Sequence, residues 1–340
     1  MVGASAKWAD EPLTSAAEDD LDRGEYADRA AALVASLHSF ESSSVVGLSG
    51  PWGSGKTSLV NMIVESLQRE HPEWIVARFT PWATSDVPGL LSEFYSSIAH
   101  SLPSKAKNVR KALALTALVA APATALIPVA GGSVATLLKR FVEASQAKPP
   151  WDIAFAKASA QLRELGRPIL VVVDDIDRLQ PEELMALLRV VRQLGRFDGV
   201  DYLLAYDDET VFRTLAAAQI VDRTDGTAER FMEKIVQYPL FVPPLLRHQQ
   251  LARINRGLAH VSRDDPNEDG RLDTMLDVFL ALLRTPRSID RYLAQLEHHL
   301  PLVPQTEMGL LKVRLTPDLW GREVPLEGCR HACTPSQGVP

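Results

Sequence analysis

Eight consecutive residues, Gly50-Pro51-Trp52-Gly53-Ser54-Gly55-Lys56-Thr57, fit the spacing G-x-x-x-x-G-K-[ST]. Glycines let successive backbone N–H groups curl around an anion without Cβ clashes, and a helix that starts after such a loop aims its positive end at the same charge. In this arrangement the Lys56 ammonium reaches the β- and γ-phosphates of a nucleoside triphosphate and the Thr57 hydroxyl ligates Mg2+, with Ser58 continuing the cradle. The competing reading is a glycine-rich turn with no chemistry. The flanks argue against it, because Val45 to Leu48 read as a short buried strand and residues 59 to 70 as an amphipathic helix.

A triphosphate with Mg2+ also needs a carboxylate at the end of a neighbouring strand. "ILVVVDDIDRL", residues 169 to 179, supplies Asp174 for the metal and, next to it, Asp175 to orient or activate the attacking water. That second carboxylate separates a hydrolase from a mere binder. Asp177 and Arg178 follow where the chain turns, suited to an ion pair or an inter-subunit contact. "YLLAYD" ends in Asp207, where a third strand would set a polar group near the γ-phosphate as a sensor; a solvated strand end is the alternative.

The elements that must position these residues alternate. A helix is predicted from about Asp22, strands at 45 to 48, 74 to 79, 168 to 175 and 200 to 207, and helices at 59 to 70, 88 to 102, 151 to 165 and 181 to 195. Strands apolar on both faces that alternate with helices predict an α/β domain with a doubly wound parallel sheet. Beyond residue 228 the strands are expected to stop: "LFVPPL" reads as an extended link, and the helices that follow read as a C-terminal lid. The resulting division is a flexible N-terminus (1–20), a phosphate-loop domain (21–244), a helical lid (245–316) and an irregular tail (317–340).

Composition narrows the class. The net charge of −7, with both signs intermingled, gives no chain-wide positive field, so nucleic acid is not an expected partner. The cysteines, Cys329 and Cys333, form no disulfide framework and suit a reducing compartment; their Cys-x-His-x-Cys setting offers at most three metal ligands, fewer than a closed structural site needs. The acidic N-terminal stretch has no apolar segment resembling a signal peptide, which points to the cytoplasm.

"GPWGSGKTSL", "RFTPW" (78 to 82), "VVVDDIDRL", "YLLAYD", "FMEKIVQYPLFVP" (231 to 243) and "TPRSIDRYL" (285 to 293) together resemble the KAP-family P-loop NTPases over roughly residues 20 to 315. The resemblance implies an additional-strand P-loop ATPase fold, ATP and Mg2+ as ligands, and a switch-like role in anti-phage defence or membrane-linked signalling. It also implies roles for two arginines: Arg230 as a residue offered to a neighbouring subunit's γ-phosphate in a homo-oligomer, and Arg287 as a lid sensor. A surface or structural ion pair is the alternative for each, and Trp82 reads as a core aromatic rather than an adenine platform.

Family members often carry membrane helices between the phosphate loop and the acidic strand, and here "ALALTALVAAPATALIPVAGGSVATLL", residues 112 to 138, is uncharged and flanked by lysines and arginines. A single crossing would put Thr57 and Asp174 on opposite sides of a bilayer, and two crossings need about 40 residues. A helical hairpin remains, either dipping into one leaflet as a peripheral anchor or folding on the protein. For the chain as a whole three functions stay open: an ATP-hydrolysing switch, a nonhydrolytic nucleotide-binding scaffold, and a P-loop kinase. The adjacent Asp174 and Asp175, and the lack of an arginine-rich acceptor lid, weigh against the kinase.

Overall fold

The structure is a computed structural model that describes residues 11–81, 87–120, 151–194, 197–217, 227–261 and 271–299. Trp82, residues 121–138 of the uncharged stretch, Cys329, Cys333 and the 317–340 tail lie outside the described residues.

Four short runs rich in valine, isoleucine and leucine become the strands β1 (Val45–Ser49), β2 (Ile75–Phe79), β3 (Ile169–Val173) and β4 (Val200–Tyr206), and Tyr-Pro-Leu-Phe becomes β5 (Tyr238–Phe241). They pair in the order β2-β3-β4-β1-β5, every neighbouring pair parallel. All residues of β1, β3 and β4 are buried, which explains why these strands read as continuous apolar runs rather than alternating ones. β4 lies between the strand leading into the phosphate loop and the strand leading into Asp174, the additional strand that the resemblance implies.

The period-two geometry of the strands sorts their side chains into two layers. Val46, Leu48, Leu170, Val172, Leu203 and Ala205 face α1 (Gly24–Leu37) and α2 (Lys56–Glu70). On α1 the residues turned inward, Ala27, Ala30, Ala31 and Val34, are mostly small, so the helix lies close against α2. Val45, Val171, Val173, Tyr202 and Leu204 face the opposite layer, built from α3 (Val87–Ser101), α4 (Lys107–Ala120), α5 (Trp151–Leu165), α6 (Pro181–Arg189) and α7 (Asp208–Ala217). α6 opens with Pro181 in its first turn, Gln180 and Glu183 forming a reciprocal cap, and runs into a π-type turn, Val190–Leu194.

Two expectations need correction. Strands do not stop at residue 228: after α8 (Thr227–Glu233) the chain forms β5, which pairs with β1 in the register Val46↔Tyr238 and Ser49↔Phe241. Pro239 hides this strand in the sequence, yet proline is tolerated at a sheet edge, where one side of the strand has no ladder to feed. Nor is the whole 1–20 segment loose. Ser58 Oγ accepts from Leu13 N (3.0 Å), Asn61 Nδ2 donates to Leu13 O (2.7 Å), and Glu65 accepts from Ala16 N and Ser15 Oγ, so residues 13–16 are laced to α2. The uncharged stretch, for which a leaflet-dipping hairpin and one folded on the protein are the two expectations, begins within α4. Ala112, Leu113 and Thr116 are buried within the α3–α4–α5 layer, and Thr116 Oγ1 lies 3.3 Å from the Ala154 carbonyl of α5. Among the described residues no helix is long and apolar enough to cross a membrane.

The chain divides into two units. Of the described residues, those between 11 and 249 with Thr285–Ser288 form the sheet unit, and those between Gln250 and Arg284 with Ile289–His299 form the other. Within this second unit α9 (Arg247–Val261), α10 (Arg271–Leu282) and α11 (Pro286–His299) contribute a small helical core. Arg253 pairs bidentately with Asp290 at 2.8 Å, Gln250 Nε2 donates to the carbonyls of Leu280 and Leu283, and Gly257 leaves room for Leu293.

Candidate nucleotide site

β1, β3 and β4 run parallel, so the residues just past their carboxyl ends converge, and this is where an open α/β sheet holds its ligand. Here the three ends deliver the phosphate loop, Asp174 and Asp207.

The loop from Gly50 to Gly55 folds as its glycines dictate. Gly53 and Gly55 have φ of 79° and 93°, in the left-handed region that a Cβ would strain. Gly55 is the N-cap of α2, and the first helical bond, Leu59 N to Gly55 O, leaves the preceding N–H groups of Lys56, Thr57 and Ser58 at the positive end of the helix dipole. Pro51 O accepts from Ser54 N, while Ser54 Oγ is buried and makes no hydrogen bond among the described residues. A loop with two left-handed glycines and an orphaned buried hydroxyl fits a phosphate group.

Lys56 is nearly buried, donates from Nζ to Gly50 O at 3.0 Å and lies 3.9 Å from Asp177 Oδ2. Thr57 Oγ1 donates to Asp174 Oδ2 at 2.7 Å, although 117 positions separate the two. The second Asp174 oxygen accepts from Asp175 N. One hydroxyl and one carboxylate in contact at the foot of the loop is a hard-oxygen donor pair of the kind Mg2+ takes, the remaining ligands being substrate and water.

Asp175 has φ 59°, a left-handed conformation rare outside glycine, and its Oδ1 pairs with Arg178 at 3.0 Å. Partial burial, and next the Asp174 charge beside it, raise its carboxyl above the ordinary aspartate range, with Arg178 and Lys56 pulling the other way. A strained backbone and a raised carboxyl at a strand end are features that functional sites share.

Asp207 stands near the loop but is already engaged. Oδ2 accepts from Trp52 N at 2.8 Å and Oδ1 from Thr210 N at 3.1 Å, so the carboxylate caps α7 and pins the loop. The Ser58 hydroxyl likewise faces Leu13. Arg287 is brought to the loop: its guanidinium lies 4.6 Å above the half-exposed Trp52 ring, and its backbone N meets Gly53 O at 3.4 Å. Arg230 is exposed on α8, and among the described residues no hydrogen bond or ion pair joins it to the loop.

Sequence reasoning missed Arg23. This buried residue, just before α1, donates from one guanidinium nitrogen to Ser54 O at 2.7 Å and from the other to Pro243 O at 2.8 Å, while Asp19 accepts from its backbone N. It thereby ties the loop to the chain leaving β5. Its partners lie 31 and 220 positions away, so no local pattern marks it.

Among solved structures the chain is similar to the ADP form of the Aeropyrum pernix ORC2 protein (16% identity, 86% of this chain and 66% of that one, TM-score 0.44). It is also similar to the Aeropyrum pernix ORC1 protein in complex with DNA (16%, 83% and 61%, TM-score 0.42). Among curated proteins it is 25% identical over 320 residues to the phage T7 exclusion protein of Escherichia coli (strain K12). That match takes in 83% of this chain but only 42% of the relative, so the chain spans less than half of that protein's length. The family description "KAP family P-loop domain" matches residues 23–303, and the chain, a P-loop NTPase-fold protein by its sheet and its loop, belongs to the KAP family.

Proposed function

We propose that the chain is a Mg2+-dependent, ATP-binding and ATP-hydrolysing switch. The observation that carries this reading is the 2.7 Å bond between Thr57 and Asp174, which joins the loop and the acidic strand beside a nearly buried lysine. Lys56 and the first N–H groups of α2 would bind and orient the β- and γ-phosphates, and the loop glycines would let the backbone approach them. Thr57 and Asp174 would hold Mg2+, which when bound offsets charge on the phosphate oxygens. Asp175, next to Asp174 and with its carboxyl raised, would take a proton from the attacking water. Arg287, now over Trp52, is within the loop's neighbourhood and would add positive charge at the γ-phosphate.

A role for the switch in defence is supported by likeness alone, to a relative named for phage exclusion; action from the cytoplasm through nucleotide-dependent assembly is part of the same proposal. A second reading, a nonhydrolytic nucleotide-binding scaffold, is favoured by the Arg178–Asp175 pair, which occupies the carboxylate that hydrolysis requires. Single-turnover hydrolysis of ATP by wild type and Asp175→Asn separates them. The switch predicts turnover by wild type and a loss of at least roughly a hundredfold in the variant, with ATP binding retained. Binding without turnover in both would establish the scaffold instead.

A further inference from the structure

Asp177 is the carboxylate of the 169–179 segment that the proposed reaction leaves without a task. Its side chain is only 7% exposed, Oδ2 lies 3.9 Å from Lys56 Nζ, and Oδ1 is buried with no hydrogen-bond partner among the described residues. At that separation the pair is electrostatic rather than hydrogen-bonded. The direct bond of Nζ is to Gly50 O at 3.0 Å. Lys56 is therefore parked on a carbonyl of its own loop, with a buried negative charge behind it. A buried carboxylate with an oxygen left over is costly where it does nothing but pack.

We propose that Asp177 is a positioning residue that competes with incoming phosphate for the charge of Lys56, so that it sets the affinity for nucleoside di- and triphosphates. The inference rests on reading the loop as a nucleotide site. An ammonium has three protons, and here one goes to Gly50 O. When a polyphosphate draws Nζ toward itself, Asp177 stays buried and loses its counter-charge. Its field then acts on the new anions at close range, with Asp174 and Asp175 adding charge of the same sign. The penalty falls on the phosphates that reach Lys56, the β and γ, and spares a nucleoside monophosphate. Asp177 thus works against tight retention of ADP, which a switch that must reset requires.

The test is titration of AMP, ADP and ATP against the full chain in EDTA and in Mg2+, with wild type, Asp177→Asn, Asp177→Ser and Asp177→Glu, each checked for a wild-type circular dichroism spectrum. Neutralising the charge should tighten ADP and ATP by roughly tenfold or more in EDTA and leave AMP unchanged, with Asp177→Glu returning toward wild type. Two neutral variants are used so that misfolding of one leaves the other to decide. Wild-type or weaker ADP affinity in the folded neutral variants, or an equal gain for AMP, overturns the role of Asp177 alone. A wild type that binds none of the three nucleotides overturns the nucleotide-site reading, and this inference with it.

Discussion

Replacing Asp207 distinguishes a group that senses phosphate from one that builds the loop. Its two oxygens accept from Trp52 N and Thr210 N, at 2.8 and 3.1 Å, in a nearly buried setting. Asp207→Ala removes an N-cap, worth about 1 kcal/mol, and a charge-assisted bond to a backbone donor, worth about 1.5–3 kcal/mol. The sum is about 3 kcal/mol, which in a unit of this size lowers Tm by roughly 6–12 °C. Asp207→Asn keeps one acceptor and is itself a good cap, so about 1–2 kcal/mol is expected. The assay is urea unfolding followed by far-ultraviolet circular dichroism, paired with ADP titration. Because the Trp52 amide sits inside the loop, ADP affinity should fall along with stability, by roughly tenfold for Asp207→Ala. A pure sensor would leave the midpoint and ADP binding untouched and abolish only hydrolysis. That combination would refute the positional reasoning.

Two further outcomes follow from the same contacts. Glu65 accepts from Ala16 N and from Ser15 Oγ, in that order of effect, and its carboxyl is held below the ordinary range. A depressed carboxyl contributes stability above its unpaired value, about pH 4.3, and loses it as pH falls through the lower folded value. Protection of the Ala16 amide against hydrogen exchange, taken relative to its intrinsic rate, should therefore fall below about pH 4, and Glu65→Gln, which cannot ionise, should abolish that loss. Because Thr116 of α4 and Ala154 of α5 are in contact, replacing residues 121–150 by a short Gly/Ser linker should leave ADP binding unchanged and the unfolding free energy within about 1 kcal/mol; loss of cooperative unfolding would show that the replaced residues belong to the core.

The parts of the site legible in the sequence were those whose chemistry is local. Gly53, Gly55, Lys56 and Thr57 are fixed in type by a turn, a helix start and a charge within a few residues, and Asp174 is fixed by the end of an apolar strand. β1, β3 and β4 were readable because both their faces are buried, which forces continuous apolar runs. β5 was not, since an exposed edge strand with Pro239 satisfies no such pattern. Arg23 and Asp207 share a different obscurity. Each acts on loop backbone, and neither a carbonyl nor an amide leaves a residue-type signature at the position it occupies.

Those backbone contacts bear on how a ligand meets the loop. Ser54 O is held by Arg23, Trp52 N by Asp207 and Gly53 O by the Arg287 amide, so three successive residues are fastened from three separate stretches of chain. A loop fastened in this way has little chain entropy left for an anion to freeze, and its affinity loses little to ordering. Nucleotide arrival should then leave the backbone course of 50–55 as it stands and rearrange the side chains around it, Lys56 and Arg287 first.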